Sequence, residues 1–179
     1  MDRVTWNAAL ISTMLALGAL LAPIGAQATI PDANIVAGVN RGGIGLITGA
    51  YGQADFALSP RTAIGAYFGF DPDDVYFGDY DNGDGDDLVG GGHFMYQFLE
   101  GDAKNPSIAG IFGLYGDQDG LQPEVGLGLS YPFDAKWTGR ANIVYGPSWG
   151  FELGYRFNPS LEGTFGITGM GLVGLGFRF

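Results

Sequence analysis

The chain has 179 residues, 33 of them glycine, with 14% aromatic residues, a formal net charge of −11 and no cysteine. That length supports one ordinary domain. The missing cysteines exclude disulfide staples, thiolate metal sites and a Cys nucleophile. Eight Lys and Arg residues against this net charge exclude a nucleic-acid surface, while the aromatic content and lack of a triplet period exclude collagen and disordered glycine-rich tracts.

In chain order, Arg3 precedes an uncharged apolar stretch over residues 8–21, followed by Pro23, Gly25 and the small-residue pattern Ala26-Gln27-Ala28. This is the layout of a cleaved secretory signal peptide over residues 1–28, with a mature chain from Thr29. The alternative is a retained anchor, but the apolar core is short for a helix that must span a bilayer with about 20 residues.

From residue 33 onward apolar residues recur with a period of two, which predicts strands over 33–40, 44–58, 62–70, 88–98, 107–116, 121–133, 137–145, 149–157, 161–168 and 170–179. Turn signals separate them, among them Arg41-Gly42-Gly43, Ser59-Pro60-Arg61, Gly146-Pro147-Ser148 and Asn158-Pro159-Ser160. Short connections predict antiparallel neighbours in an up-and-down order. Ten strands are expected. Eight is the alternative, reached if two weak strands merge or if 33–40 lies outside the sheet.

The two faces of these strands differ in kind. Over 121–133, Val125, Leu127, Leu129, Tyr131 and Phe133 share one face, opposite Glu124, Gly126, Gly128 and Ser130. Trp137, Ala141, Ile143 and Tyr145 oppose Thr138, Arg140, Asn142 and Val144, and Phe151, Leu153, Tyr155 and Phe157 oppose Glu152, Gly154 and Arg156. A soluble barrel turns its bulky apolar face inward and needs a charged exterior, which 15% charged residues supply poorly. The expected fold is therefore an all-β, closed, antiparallel up-and-down transmembrane β-barrel with lipid outside and glycine and polar side chains in the lumen. Aromatic residues near the strand ends would form interfacial girdles.

The leader, the alternating strands, the turns in "YRFNPSL" and "SYPFDAKW", and the aromatic last residue together resemble bacterial outer-membrane β-barrel proteins over residues 29–179. The resemblance implies residence in the outer membrane among its lipids. It also implies recognition of the last strand by the barrel-assembly machinery, through Val173, Leu175, Phe177 and Phe179. It carries no catalytic residue with it.

Barrels of this class keep short turns and both chain ends on the periplasmic side. The connections after Leu58, Phe98, Phe133 and Phe157 are then periplasmic, and segment 71–87, "DPDDVYFGDYDNGDGDD", is extracellular. This segment has eight Asp and no Lys or Arg. Asp79, Asp81, Asp84 and Asp86 could offer hard oxygen ligands to calcium, although Gly83 and Gly85 break the EF-hand spacing. A solvated acidic loop is the other reading.

The single histidine, His93, shares its face with Val89, Gly91, Met95 and Gln97, which points it into the lumen. A barrel hydrolase, lipid A deacylase-like or protease-like, would need His93 beside a nucleophile and an orienting carboxylate, and no serine lies near it on its strand. The lumen parity also carries Arg140, Glu152, Arg156, Glu162 and Arg178. A tight turn at 158–160 would set Arg156 across from Glu162, with Arg178 on the other side. Three separately solvated charges are the alternative. Crowded also by Tyr51 and Gln53, so small a lumen suits a structural, narrow-pore or surface-binding role better than a wide channel.

Overall fold

The computed structural model describes residues 30–46, 50–71, 87–102, 104–117, 120–169 and 171–179. Ten strands follow one another: β1 (Arg41–Leu46), β2 (Ala50–Ser59), β3 (Thr62–Asp71), β4 (Asp87–Leu99), β5 (Ser107–Asp117), β6 (Gly120–Pro132), β7 (Trp137–Tyr145), β8 (Gly150–Asn158), β9 (Leu161–Thr168) and β10 (Gly171–Arg178). Each pairs antiparallel with its neighbours in sequence, and β1 pairs antiparallel with β10, closing the barrel. No helix occurs among the described residues.

From β3 onward every strand boundary falls within one residue of the sequence expectation. The first two expected strands differ. Residues 33–40 are not a strand, and Arg41-Gly42-Gly43, read as a turn, opens β1. The expected long strand 44–58 is two strands, β1 and β2, in register from Arg41↔Asp55 to Leu46↔Ala50. So the count of ten holds even though 33–40 leaves the sheet.

On most strands the bulky apolar side chains point out and the polar ones point in, with Met95, Ile111, Tyr51 and Tyr67 among the apolar exceptions inside. Val125, Leu127 and Leu129 on β6 and Ile143 and Tyr145 on β7 are exposed, Ile143 to 84%, whereas Glu124, Ser130, Arg140 and Asn142 on the same strands are buried. The rule that hydrophobic residues lie inside is inverted along these strands. At the end holding Arg41 and Phe179, aromatic rings pack edge to face: Tyr96 with Phe98, Tyr131 with Phe133, Tyr155 with Phe157, and Phe56 with Phe179.

The four connections at that end share one device. Ser59 Oγ accepts the backbone N–H groups of Arg61 and Thr62, and Asn158 Oδ1 accepts those of Ser160 and Leu161. Asp102 takes Lys104 and Asn105, and Asp134 takes Lys136 and Trp137. A short side-chain acceptor thus satisfies amides that leave the ladder. Those same amides hold the Asp102 and Asp134 carboxyls below the usual carboxylate range. Three of these turns follow a bulge, in which Leu58, Phe98 or Phe157 is the extra residue and is exposed. A bulge re-aims one side chain, and here it sets an apolar group on the rim of the exterior.

Candidate functional site

The interior is filled first by the chain itself. At the rim, Asn40 N–H donates to Phe179 O at 2.8 Å and Phe179 N–H donates to Asn40 O at 3.1 Å. Upstream the backbone turns through Gly38, whose φ of 72° is the left-handed conformation that glycine adopts most cheaply. Residues 30–35 then run into the lumen. Ile30, Pro31, Asp32, Ala33 and Ile35 are buried, whereas Val36 is exposed. Ile35 packs with Ala63, Met95 and Ile111, and Asn142 Nδ2 donates to Pro31 O at 3.0 Å and to Ser148 O at 3.2 Å. Of the apolar residues that suggested a strand over 33–40, Ala33 and Ile35 serve instead to fill the barrel.

Asp32 is the polar centre of this plug. Its Oδ2 lies 2.7 Å from Arg41 Nη1 and 2.8 Å from Arg140 Nε. Arg140, fully buried on β7, also meets Glu152 Oε1 of β8 at 3.1 Å and Glu162 Oε1 of β9 at 2.6 Å. One guanidinium therefore joins the plug to three adjacent strands. Its planar fork suits several carboxylates at once, where a lysine would offer a point charge. Gly154 makes the approach possible, because a Cβ there would stand 2.8 Å from Arg140 Nη1 and collide with Glu162 Oε1.

A second network occupies the other half of the lumen. His93 Nε2 donates to Asp55 Oδ1 at 2.8 Å, and Gln53 Nε2 donates to Asp55 Oδ2 at 2.7 Å. The Tyr67 ring stacks on His93 with centroids 6.1 Å apart, and its hydroxyl donates to Glu124 Oε2 at 3.2 Å. Ser148, in the turn after β7, donates its hydroxyl and its N–H to Glu124 Oε1. Tyr51, Tyr67 and Val89, with Tyr115 against them, form an apolar cluster beyond this network.

Of the lumen residues expected from the sequence, Arg140, Glu152 and Glu162 come together. Arg156 is Glu162's register partner, as expected, and Gly176 is its partner on β10. The expected bridge from Glu162 to Arg156 and Arg178 does not form. The carboxylate turns to Arg140, which is fully buried and has no water to solvate it, while Arg156 and Arg178 are half-exposed at the rim and Arg156 Nη1 reaches Ala135 O at 3.4 Å. His93 lies in the lumen as expected and has a carboxylate partner, but Ser148 Oγ is bonded to Glu124 and not to His93. Val173, Leu175 and Phe179 are exposed along the outer face of the closing strand, with Phe177 half-buried beside them. Asp79, Asp81, Asp84 and Asp86 lie outside the described residues. Among those described, no group of three or more His, Asp or Glu side chains is arranged to hold a metal ion.

Sequence reasoning set Glu124 on the lumen face without assigning it a partner, and passed over Asp32, Arg41, Asp55 and Ser148 as site residues. Asp32 had one signal, a lone carboxylate in an apolar segment ahead of the first glycine-rich strand. Between plug and wall, the cavity lined by Asp32, Ile35, Arg41, Asp55, Ala63 and Met95 holds about 10 Å³, room for about one water. No protein-family model, curated protein or solved structure matches this chain.

Proposed function

We propose that the chain is a small bacterial outer-membrane barrel with a structural, narrow-pore or surface-binding role, non-enzymatic in character. The observation that carries this reading is the inversion of the barrel: a continuous apolar exterior with aromatic rings at one rim, around a lumen of salt bridges. In water such an exterior would aggregate, and in lipid it is the ordinary solution. The end that holds Arg41 and Phe179 would face the periplasm. The connection 72–86, much the longest, would then lie on the cell surface with its acidic residues, where a surface-binding role would reside.

In this reading residues 1–28 are a cleaved leader, and Ile30, the first described residue, is buried in the lumen. His93 is sealed in by Asp55 and Tyr67, which supports a structural role over a hydrolytic one. The exposed row of Val173, Leu175 and Phe179 supports recognition by the assembly machinery.

Refolding of residues 29–179 from urea tests the reading. In detergent the protein is expected to give a β-type circular dichroism spectrum and a gel mobility that shifts on heating, because a closed hydrogen-bonded sheet resists SDS until heated. Full solubility as a monomer without detergent or lipid would overturn it.

A further inference from the structure

Residues 30–35 occupy the lumen without belonging to the sheet. Three independent features hold residues 30–35 in place. The Asp32 carboxylate sits between Arg41 and Arg140, the Pro31 carbonyl accepts from Asn142, and Ile35 fills an apolar pocket made by Ala63, Met95 and Ile111. None of these bonds belongs to the strand ladder, which closes through β1 and β10 without the segment. The plug is therefore separable from the barrel in a way that no strand is. Its root at Asn40 is tied to Phe179, and the exposed stretch 36–38, with left-handed Gly38, joins root to plug as a short solvent-facing arm.

We propose that residues 30–36 are a detachable plug, latched by Asp32 to Arg140 and Arg41, and that its withdrawal toward the end holding Phe179 opens a narrow ion path through the barrel. This rests on the membrane-barrel reading above. With the plug in place little room remains on one side of it, since the cavity between plug and wall admits about one water. With the plug out, the space filled by Ile30, Pro31, Ala33 and Ile35 becomes water, and Arg41 and Arg140 lose the carboxylate that Asp32 provides. A peptide of the same sequence offered from outside would then find its site vacated.

The chain lacks cysteine, so engineered pairs report cleanly. A Cβ built at Gly128 stands 3.5 Å from the Ala33 Cβ, within reach of a disulfide. In the double variant Ala33→Cys/Gly128→Cys, mild oxidation of the detergent-folded barrel is expected to cross-link the plug, which neither single variant does. Because a side chain at Gly128 presses on Asn142, Ile35→Cys/Ala63→Cys is the second pair. Absence of cross-linking from both pairs in barrels that still show heat-shifted mobility overturns the plug. Failure of the unsubstituted chain to refold in detergent strikes the membrane-barrel reading instead.

Conductance in a planar bilayer tests the opening. Asp32→Asn keeps the shape and removes the charge, and is expected to raise the frequency of openings at least about tenfold, the shift given by a latch worth about 1.4 kcal/mol. In the cross-linked triple variant those openings should vanish and return on reduction. A synthetic peptide IPDANIV should suppress the conductance of a chain lacking residues 30–36. An Asp32→Asn variant and a plug-less chain both as silent as the wild type, while folded and inserted, would overturn the gate.

Discussion

Arg140 and Asp32, 108 positions apart in the chain, meet at 2.8 Å in the lumen, and through this contact a segment outside the sheet is held by the same guanidinium that joins β7, β8 and β9. The pair is fully desolvated, so its worth lies less in net attraction than in the penalty for removing one side. Several of the expectations below follow from that asymmetry.

Replacing Arg140 with Met should destabilise the folded barrel by about 3–5 kcal/mol, because Glu152 and Glu162 lose their shared partner in a site that cannot hydrate them. Arg140→Lys should recover only part of this, since an ammonium cannot address three carboxylates in one plane. Urea titration in lipid vesicles, followed by tryptophan fluorescence, checks both. A midpoint unchanged in Arg140→Met would show that the network contributes nothing to stability.

Ile143, exposed to 84% and paired in register with Leu127, distinguishes lipid from water as the outer solvent. Ile143→Arg should cost about 2–4 kcal/mol if this part of β7 lies near the bilayer midplane. On a water-facing surface the same change would be neutral or would improve solubility. The measurement is the free energy of folding into vesicles, compared with that of Thr164→Ser in the lumen as a control.

Asp71 faces Asp87 across β3 and β4, so the ladder is complete before the acidic connection begins. Replacing residues 73–85 by a short Gly-Ser linker should leave heat-shifted mobility intact, since loops lie outside the hydrogen-bonded sheet. If Asp79, Asp81, Asp84 and Asp86 ligate calcium, titration calorimetry should show heat of binding in the full chain that disappears in this variant, which removes three of the four. Equal heats would place calcium elsewhere.

At the turn between β6 and β7, Asp134 accepts the amides of Lys136 at 2.6 Å and Trp137 at 2.8 Å, which depresses its carboxyl in the folded state. A depressed folded value contributes stability above the unfolded value of about 3.9 and loses it as pH falls through the folded value. The wild type should therefore exceed Asp134→Ala in urea midpoint at neutral pH, with the difference shrinking on acidification. A difference that grows in acid would reverse the assigned sign.

Period-two alternation made most of the barrel legible, because a strand with one face on an apolar exterior and the other on a polar lumen must alternate along its whole length. The failure at 33–40 has a physical cause: in "ANIVAGVN" Ala33 and Ile35 are buried against the inside of the wall, and the chain then turns outward through exposed Val36 and left-handed Gly38. The break between β1 and β2 was hidden because Ile47-Thr48-Gly49 offers a single turn-forming residue. Side-chain pairing was legible only along the ladder. Arg140↔Glu152 and Arg156↔Glu162 follow from register. Glu162's turn toward Arg140 follows from which arginine can reach water. Asp32 was out of reach of any register argument, and the clasp it makes with Arg41 and Arg140 is visible only in three dimensions.

The main-chain bonds between Asn40 and Phe179 bear on the order in which the molecule can be assembled. The seam between β1 and β10 joins the first described strand to the last, so until those two pair both edges stand open and the interior is reachable from the side. A plug can be laid into an open trough before the two edges are brought together, or threaded through the rim after the ring has shut. The first route needs no passage of a buried aspartate past a crowded mouth. On that route the seam, the last contact to form, traps what the earliest segment has already found, and the tail of the chain decides when its head is fixed.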